Sequence, residues 1–229
     1  MKLSKLISLF VAFSCFKGVS IVAQPILEVS PKEVDLGTIY LGKAASLSFE
    51  IRNVGNETLK ILKLTPSCGC TAAELPKDSL RPAESQQVSL SFDPTGFLGE
   101  VKKTVGIYAN SREKYSQFSF YAKVSTDLDY IGGGMSAWAG RIKKGENKTI
   151  KIEMANRAGY PIKVKSIQSN SPELKFTLPK SANVLASESF VFEVKIQGTG
   201  EEFSQALLTI ETDNPRQPLV PLRLTFIGE

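Results

Sequence analysis

The chain has 229 residues, of which 22% are charged and 42% apolar, with a formal charge of +5 and no histidine. The missing histidine excludes the usual nucleophile–histidine triads and most hydrolytic metal sites. Lys2, Lys5 and Lys17 lie in the first 23 residues with no acids beside them, so the remainder carries only +2, too balanced to argue for nucleic acid or an anionic membrane.

In chain order the first feature is "MKLSKLISLFVAFSCFKGVSIVAQP". Lys2 and Lys5 precede a mostly apolar run from Leu6 to Phe13, the layout of a secretory signal. The run is well short of the roughly 20 residues of a membrane-spanning helix. The mature chain is therefore expected to be exported, in a bacterial periplasm or at an outer membrane or cell surface, without a transmembrane helix. Two readings of the leader stand. A cut after Ala23 leaves Gln24 first; alternatively Ala12-Phe13-Ser14 before Cys15 forms a degenerate lipobox, which would make Cys15 a lipid anchor. The first removes Cys15 and leaves only Cys68 and Cys70 in an oxidising compartment.

From Gln24 onward the pattern is alternation rather than helical period. "SLSFEIRN" puts Leu47, Phe49 and Ile51 on one face; "QVSLSFDP" aligns Val88, Leu90 and Phe92; "QFSFYAKV" aligns Phe118, Phe120, Ala122 and Val124. Each reads as a strand with one dry and one wet face. The second half repeats the plan with "KTIKIEMAN", "SFVFEVKI" and "LVPLRLTF". Gly42 and Gly145 are 103 residues apart, as are Asn53 and Asn156, while Asn110 and Asn214 are 104 apart. This predicts an all-β chain of two tandem sandwiches, each of about 100 residues. The expected divisions are a signal at 1–23, a first domain at 24–125, a Gly-rich linker at 126–137 and a second domain at 138–229. The linker "TDLDYIGGGMSA" is expected to let the domains tilt, with Tyr130 and Trp138 packing the domain interface.

The stretch beginning "VDLGTIYLGKAASLSFEIRNVGN" resembles the bacterial family called domain of unknown function 1573, whose domains are similar to immunoglobulin-like modules of the ASPM–SPD-2–hydin and major sperm protein type. The resemblance covers roughly residues 34–124. It is carried by Gly37, Gly42, the "NVGN" turn at Asn53–Asn56, "CGCT" at Cys68–Thr71, "FDP" at Phe92–Pro94, Gly99 and Asn110. It implies an immunoglobulin-like fold and no reaction. Two departures stand out. Pro82-Ala83 replaces the family's Pro-Gly, so the turn there is expected to avoid a positive φ. The second copy has "SIQSNSPEL" where the first has "TPSCGCTAAEL", so it lacks both cysteines.

Four readings of Cys68–Gly69–Cys70 stand. A disulfide across so small a ring is one, since Gly69 can bend the chain to close the gap, and it would be a labile bond rather than a staple. Two thiolates one residue apart also suit Cu(I) or another thiophilic metal, although no histidine or second cysteine pair completes a closed site. Thiol exchange is a third reading, without the helix N-terminus that activates thioredoxin-type couples. The last is a packed bend in which the cysteines act as small apolar residues and Thr71 ties the turn. Phe97 and Leu98 in "DPTGFLGE" form either a lid on the sandwich end or a contact site. No catalytic residue is assigned. The expected role is a noncatalytic envelope module that binds a protein partner through sandwich edges and loops, including Gly69, Thr71, Phe97 and Leu98; the alternatives are thiol or copper handling by Cys68 and Cys70 and a lipoprotein adhesin anchored at Cys15.

Overall fold

The computed structural model describes residues 23–172, 174–177 and 183–228; the leader, with Cys15, lies outside the described residues. Within them the chain forms strands and no helix. The first set is β1 (Leu27–Ser30), β2 (Glu33–Tyr40), β3 (Ala45–Asn53), β4 (Leu59–Pro66), β5 (Thr71–Glu74), β6 (Ser79–Leu80), β7 (Ser85–Phe92), β8 (Gly99–Ala109) and β9 (Tyr115–Ser125). They make two sheets, ordered β1-β3-β7-β5 and β2-β9-β8-β4-β6. The second set is β10 (Leu128–Tyr130), β11 (Ser136–Ile142), β12 (Asn147–Asn156), β13 (Ile162–Ser169), β14 (Leu174–Thr177), β15 (Asn183–Val184), β16 (Ser189–Gln197), β17 (Ser204–Thr212) and β18 (Leu219–Gly228). Its sheets, β10-β12-β16-β14 and β11-β18-β17-β13-β15, repeat the first topology strand for strand. In both copies the second strand runs parallel to the last.

The predicted dry faces are the interiors. Phe49, Ile51, Val88, Leu90, Phe92, Phe118, Phe120 and Val124 close one core; Ile152, Met154, Phe190, Phe192, Val194, Ile196, Leu222, Leu224 and Phe226 close a second. Phe49 stacks on Phe118 at 4.4 Å, and Phe92 meets Phe120 edge-on at 5.2 Å. Two separate cores follow from two runs of period-2 sequence, because each copy has enough inward apolar residues to cover both of its own sheets.

The sequence repeat is also a repeat of polar locks. Asn53 is fully buried; its Nδ2 donates to the carbonyls of Glu57 (2.7 Å) and Leu80 (3.0 Å), and its Oδ1 accepts from Gly55 N–H (3.0 Å). Asn156 repeats this with Tyr160 (2.8 Å), Val184 (2.9 Å) and Ala158 N–H (2.8 Å). The counterpart of Asn110 is Asp213, not Asn214. Asn110 Oδ1 accepts from Lys60 N–H at 2.7 Å, and Asp213 Oδ1 accepts from Lys163 N–H at 2.8 Å, so the 103-residue spacing holds there too.

Three expectations are corrected. The segment read as a linker at 126–137 carries β10, paired antiparallel to β12, and the start of β11. Its glycines make the crossing between sheets, the place that Ser30–Pro31 occupies in the first copy. Trp138 does not pack a domain interface: it stands on the outer face of β11, 57% exposed. Tyr130 packs against the second core and also lines the space between the sandwiches with Leu41 and Leu98, as expected of it. Finally, Ala83 has φ +65°, and Ser187, in the matching turn of the second copy, has φ +64°. Both close turns by N–H to carbonyl bonds, Glu84 to Arg81 (3.0 Å) and Glu188 to Leu185 (3.1 Å). The flanking strands impose this type II geometry whatever residue stands there, and a side chain at that position is strained. Ala83→Gly and Ser187→Gly are each expected to stabilise the protein by about 0.5–1 kcal/mol, measured as a rise in urea midpoint at constant slope.

Candidate functional site

Strand register gathers the predicted loops at one end of the first sandwich. Tyr40 ends β2 beside Ser125, and Ala45 and Thr71 both begin strands opposite Phe92. The turn at 41–44, the Cys68–Cys70 loop and the loop at 93–98 therefore lie toward the end from which the chain enters the second sandwich.

Cys68 and Cys70 are joined by a disulfide with their Cα atoms 5.2 Å apart, inside the usual range for such bonds. Thr71 is buried, and its hydroxyl lies 3.7 Å from the Cys68 sulfur and 4.0 Å from that of Cys70. Its N–H donates to the Cys68 carbonyl at 3.4 Å, and Asp93 N–H donates to the Cys70 carbonyl at 2.8 Å. Cys70 packs against the first core. Gly69 is exposed, its φ lies outside the left-handed region, and nothing stands within 4 Å of where a Cβ would be. The bend therefore does not depend on glycine: Gly69→Ala is expected to leave the thermal midpoint within about 2 °C of wild type, since unconstrained surface changes usually stay within about 0.5 kcal/mol. A soft metal would need both sulfurs as thiolates. Among the described residues no three His, Cys, Asp or Glu side chains converge as a metal-binding group.

Phe97 and Leu98 take different roles. The Phe97 ring lies 5.9 Å from Phe92 and carries the Lys103 ammonium 3.8 Å above it, so it lids the first core. Leu98 faces the second sandwich, lining a small apolar space with Leu41, Leu128, Met135, Met154 and Val220.

The residues that fasten the two sandwiches were not singled out from sequence. Asp127, buried at the junction, accepts from Arg216 Nε and Nη2, both at 3.0 Å, and from Asn214 Nδ2 at 2.7 Å. The Arg216 guanidinium lies 4.7 Å from the centre of the Tyr40 ring in the first sandwich and 5.2 Å from that of Tyr160 in the second. Partial burial works against its charge, but the Tyr160 hydroxyl and Asp127 outweigh that and hold it above its ordinary pKa. Gln217, fully buried, accepts from Asp127 and Leu128 N–H at 2.8 and 2.9 Å and donates to Thr126 at 2.8 Å. Lys43 Nζ reaches the Pro215 carbonyl at 3.4 Å, and Gly42 sits against the Leu219 carbonyl so closely that a Cβ would stand 1.7 Å from it. The only sequence signal was the second copy's own "DNPRQP" turn at 213–218, which departs from "NSREKY" at 110–115 in the first.

Beside this seam runs a cleft. One hollow of about 180 Å³ is lined by Thr95, Gly96, Met135, Leu207, Pro221 and Arg223. A second, of about 360 Å³, shares Thr95, Leu207 and Pro221 and adds Gly42, Asp93 and Leu219. Leu207 and Leu219 are 38% and 43% exposed there.

The family described as "Protein of unknown function (DUF1573)" matches over residues 27–124. No curated protein matches the chain in sequence. Among solved structures, a protein of unknown function from Porphyromonas gingivalis W83 is 14% identical, with 88% of this chain and 99% of that one covered and a TM-score of 0.38. The ASH / PapD-like domain 7 of human CEP192 is 15% identical, with 55% and 97% covered and a TM-score of 0.39. The match to the DUF1573 family covers the first sandwich, residues 27–124, with its "CGCT" loop at the seam, and a second sandwich of the same topology follows in the same chain.

Proposed function

We propose that this is an exported, noncatalytic cell-envelope protein that binds another protein at the cleft between its two sandwiches, without a cofactor. The carrying observation is that cleft, with an apolar wall of Leu207, Leu219 and Pro221 from the second sandwich facing the 93–96 loop of the first. Export is the reading of the leader. The sheet edges are poorer candidates for accepting a partner strand. β1, β5 and β6, like β10, β14 and β15, have four residues or fewer, and β2 and β11 are interrupted by register shifts at Asp35–Thr38 and Trp138–Arg141. Short and bulged edges discourage strand addition, which leaves the loops and the cleft.

A photo-crosslinking residue placed at Leu207 in the producing cell tests this, with one at Ser89, on the outer face of the other sandwich, as control. A discrete protein adduct from position 207, absent from position 89 and lost in Pro221→Glu, is the expected result. Equal labelling from both positions would refute the cleft as the binding surface.

A further inference from the structure

The disulfide holds the Cys68 and Cys70 Cα atoms 5.2 Å apart, whereas two residues of extended strand span about 6.6 Å. On the upstream side the loop is pinned to β8: Ser67 N–H donates to the Thr104 carbonyl at 2.9 Å, and Thr104 N–H donates to Ser67 Oγ at 3.1 Å. The downstream side holds the loop that walls the cleft. The Cys70 carbonyl binds Asp93 N–H, the Asp93 carboxylate accepts from Thr95 N–H at 2.9 Å, and Phe97 N–H closes on the Pro94 carbonyl at 3.0 Å. A change in the Cys68–Cys70 separation bears on Asp93 through this bond. A bridge between residues two apart closes too short a loop to restrict the unfolded chain much, so holding the fold together does not account for it.

We infer that Cys68–Cys70 is a thiol–disulfide exchange site for a dithiol protein, and that its reduction loosens the 93–98 loop and with it the cleft. The Cys68 sulfur is the point of attack, because Cys70 packs on the core and the bare Gly69 leaves the approach open. The partner's thiolate bonds to Cys68 Sγ as the Cys68–Cys70 bond breaks, and Cys70 departs as a thiolate that takes a proton from water. The partner's second thiolate then attacks its own sulfur in the mixed disulfide and releases Cys68, which is protonated in turn. This chain's disulfide gains two electrons and two protons; the partner's dithiol becomes a disulfide. The inference stands apart from partner binding at the cleft, since crosslinking from Leu207 in the oxidised protein is indifferent to it.

The test treats the purified protein with dithiothreitol, without denaturant. It maps alkylation of Cys68 and Cys70 by peptide mass and follows amide hydrogen exchange in parallel. The expected result is alkylation of both under native conditions, with exchange at Asp93 and Phe97 rising roughly tenfold or more while Val88 and Ile107 stay protected. Cys68→Ser/Cys70→Ser is expected to show the same exchange pattern without reductant; should it fail to fold, the reduced wild-type protein carries the decision alone. A bond reduced only in denaturant, or reduction that leaves exchange at Asp93 and Phe97 unchanged, overturns the inference.

Discussion

Asn156→Ala is expected to destabilise the second sandwich by about 3 kcal/mol, and Asn53→Ala the first by a similar amount. Asn156 is 1% exposed and serves both sides of its turn: the amide nitrogen binds the Tyr160 and Val184 carbonyls and the amide oxygen binds Ala158 N–H. Alanine removes these bonds, together with that from the amide nitrogen to the Leu185 carbonyl at 3.1 Å, at once. It leaves the Ala158 N–H and the carbonyls of this turn without these partners, and a buried group left unpaired costs about 1–3 kcal/mol. For a domain of about 100 residues, 3 kcal/mol corresponds to a fall of roughly 12–20 °C in midpoint. Calorimetry of each variant measures it, and a fall of less than about 4 °C would show that these asparagines are not locks.

The second large effect is expected from Gly42→Ala, measured against Gly145→Ala. Both glycines have φ +78° in equivalent turns, so both substitutions incur the left-handed cost of about 1–2 kcal/mol. They differ in surroundings. A Cβ on Gly145 meets nothing within 4 Å, while one on Gly42 would stand 1.7 Å from the Leu219 carbonyl oxygen and 2.7 Å from its carbon. Backbone of the second sandwich cannot yield without moving β18, whose Val220 and Leu222 are core residues. The seam must open instead. Gly42→Ala is therefore expected to keep both cores folded yet enlarge the scattering radius of gyration and free Arg216 from the Tyr40 ring, whereas Gly145→Ala leaves the radius unchanged. Equal scattering from the two variants would mean that the turn at Gly42 does not bear on the second sandwich.

Much of the fold was legible because alternation is a local property: Phe49 and Ile51, or Val194 and Ile196, declare their face by spacing alone. The duplication was legible too, through Gly42/Gly145 and Asn53/Asn156, although the job of the asparagines is not written in their spacing. What escaped is set by neighbours distant in sequence. The turn at Ala83 looked free of positive φ from its residue type, but its N–H is held by the Asn53 carbonyl at 2.9 Å and the strands dictate its shape. The glycines at 132–134 looked like a linker by composition, while Leu128–Tyr130 finds its partner strand at Met154–Asn156. The Arg216 contacts join residues 127, 160 and 216 to Tyr40, and no local pattern announces them. The cysteine pair was visible at once; its tie to the seam emerged only through the Asp93 hydrogen bond.

Asp127, Arg216, Gln217 and the docked Gly42 turn are expected to make the two sandwiches one body, and so to make the cleft a fixed shape. Backbone ¹⁵N relaxation of the protein measures this. The expected result is a single rotational correlation time shared by amides of β7 and β16, lengthened to that of the whole chain, with Arg216→Ala separating the two values. Distinct, shorter correlation times for the two sandwiches in the wild-type protein would contradict it.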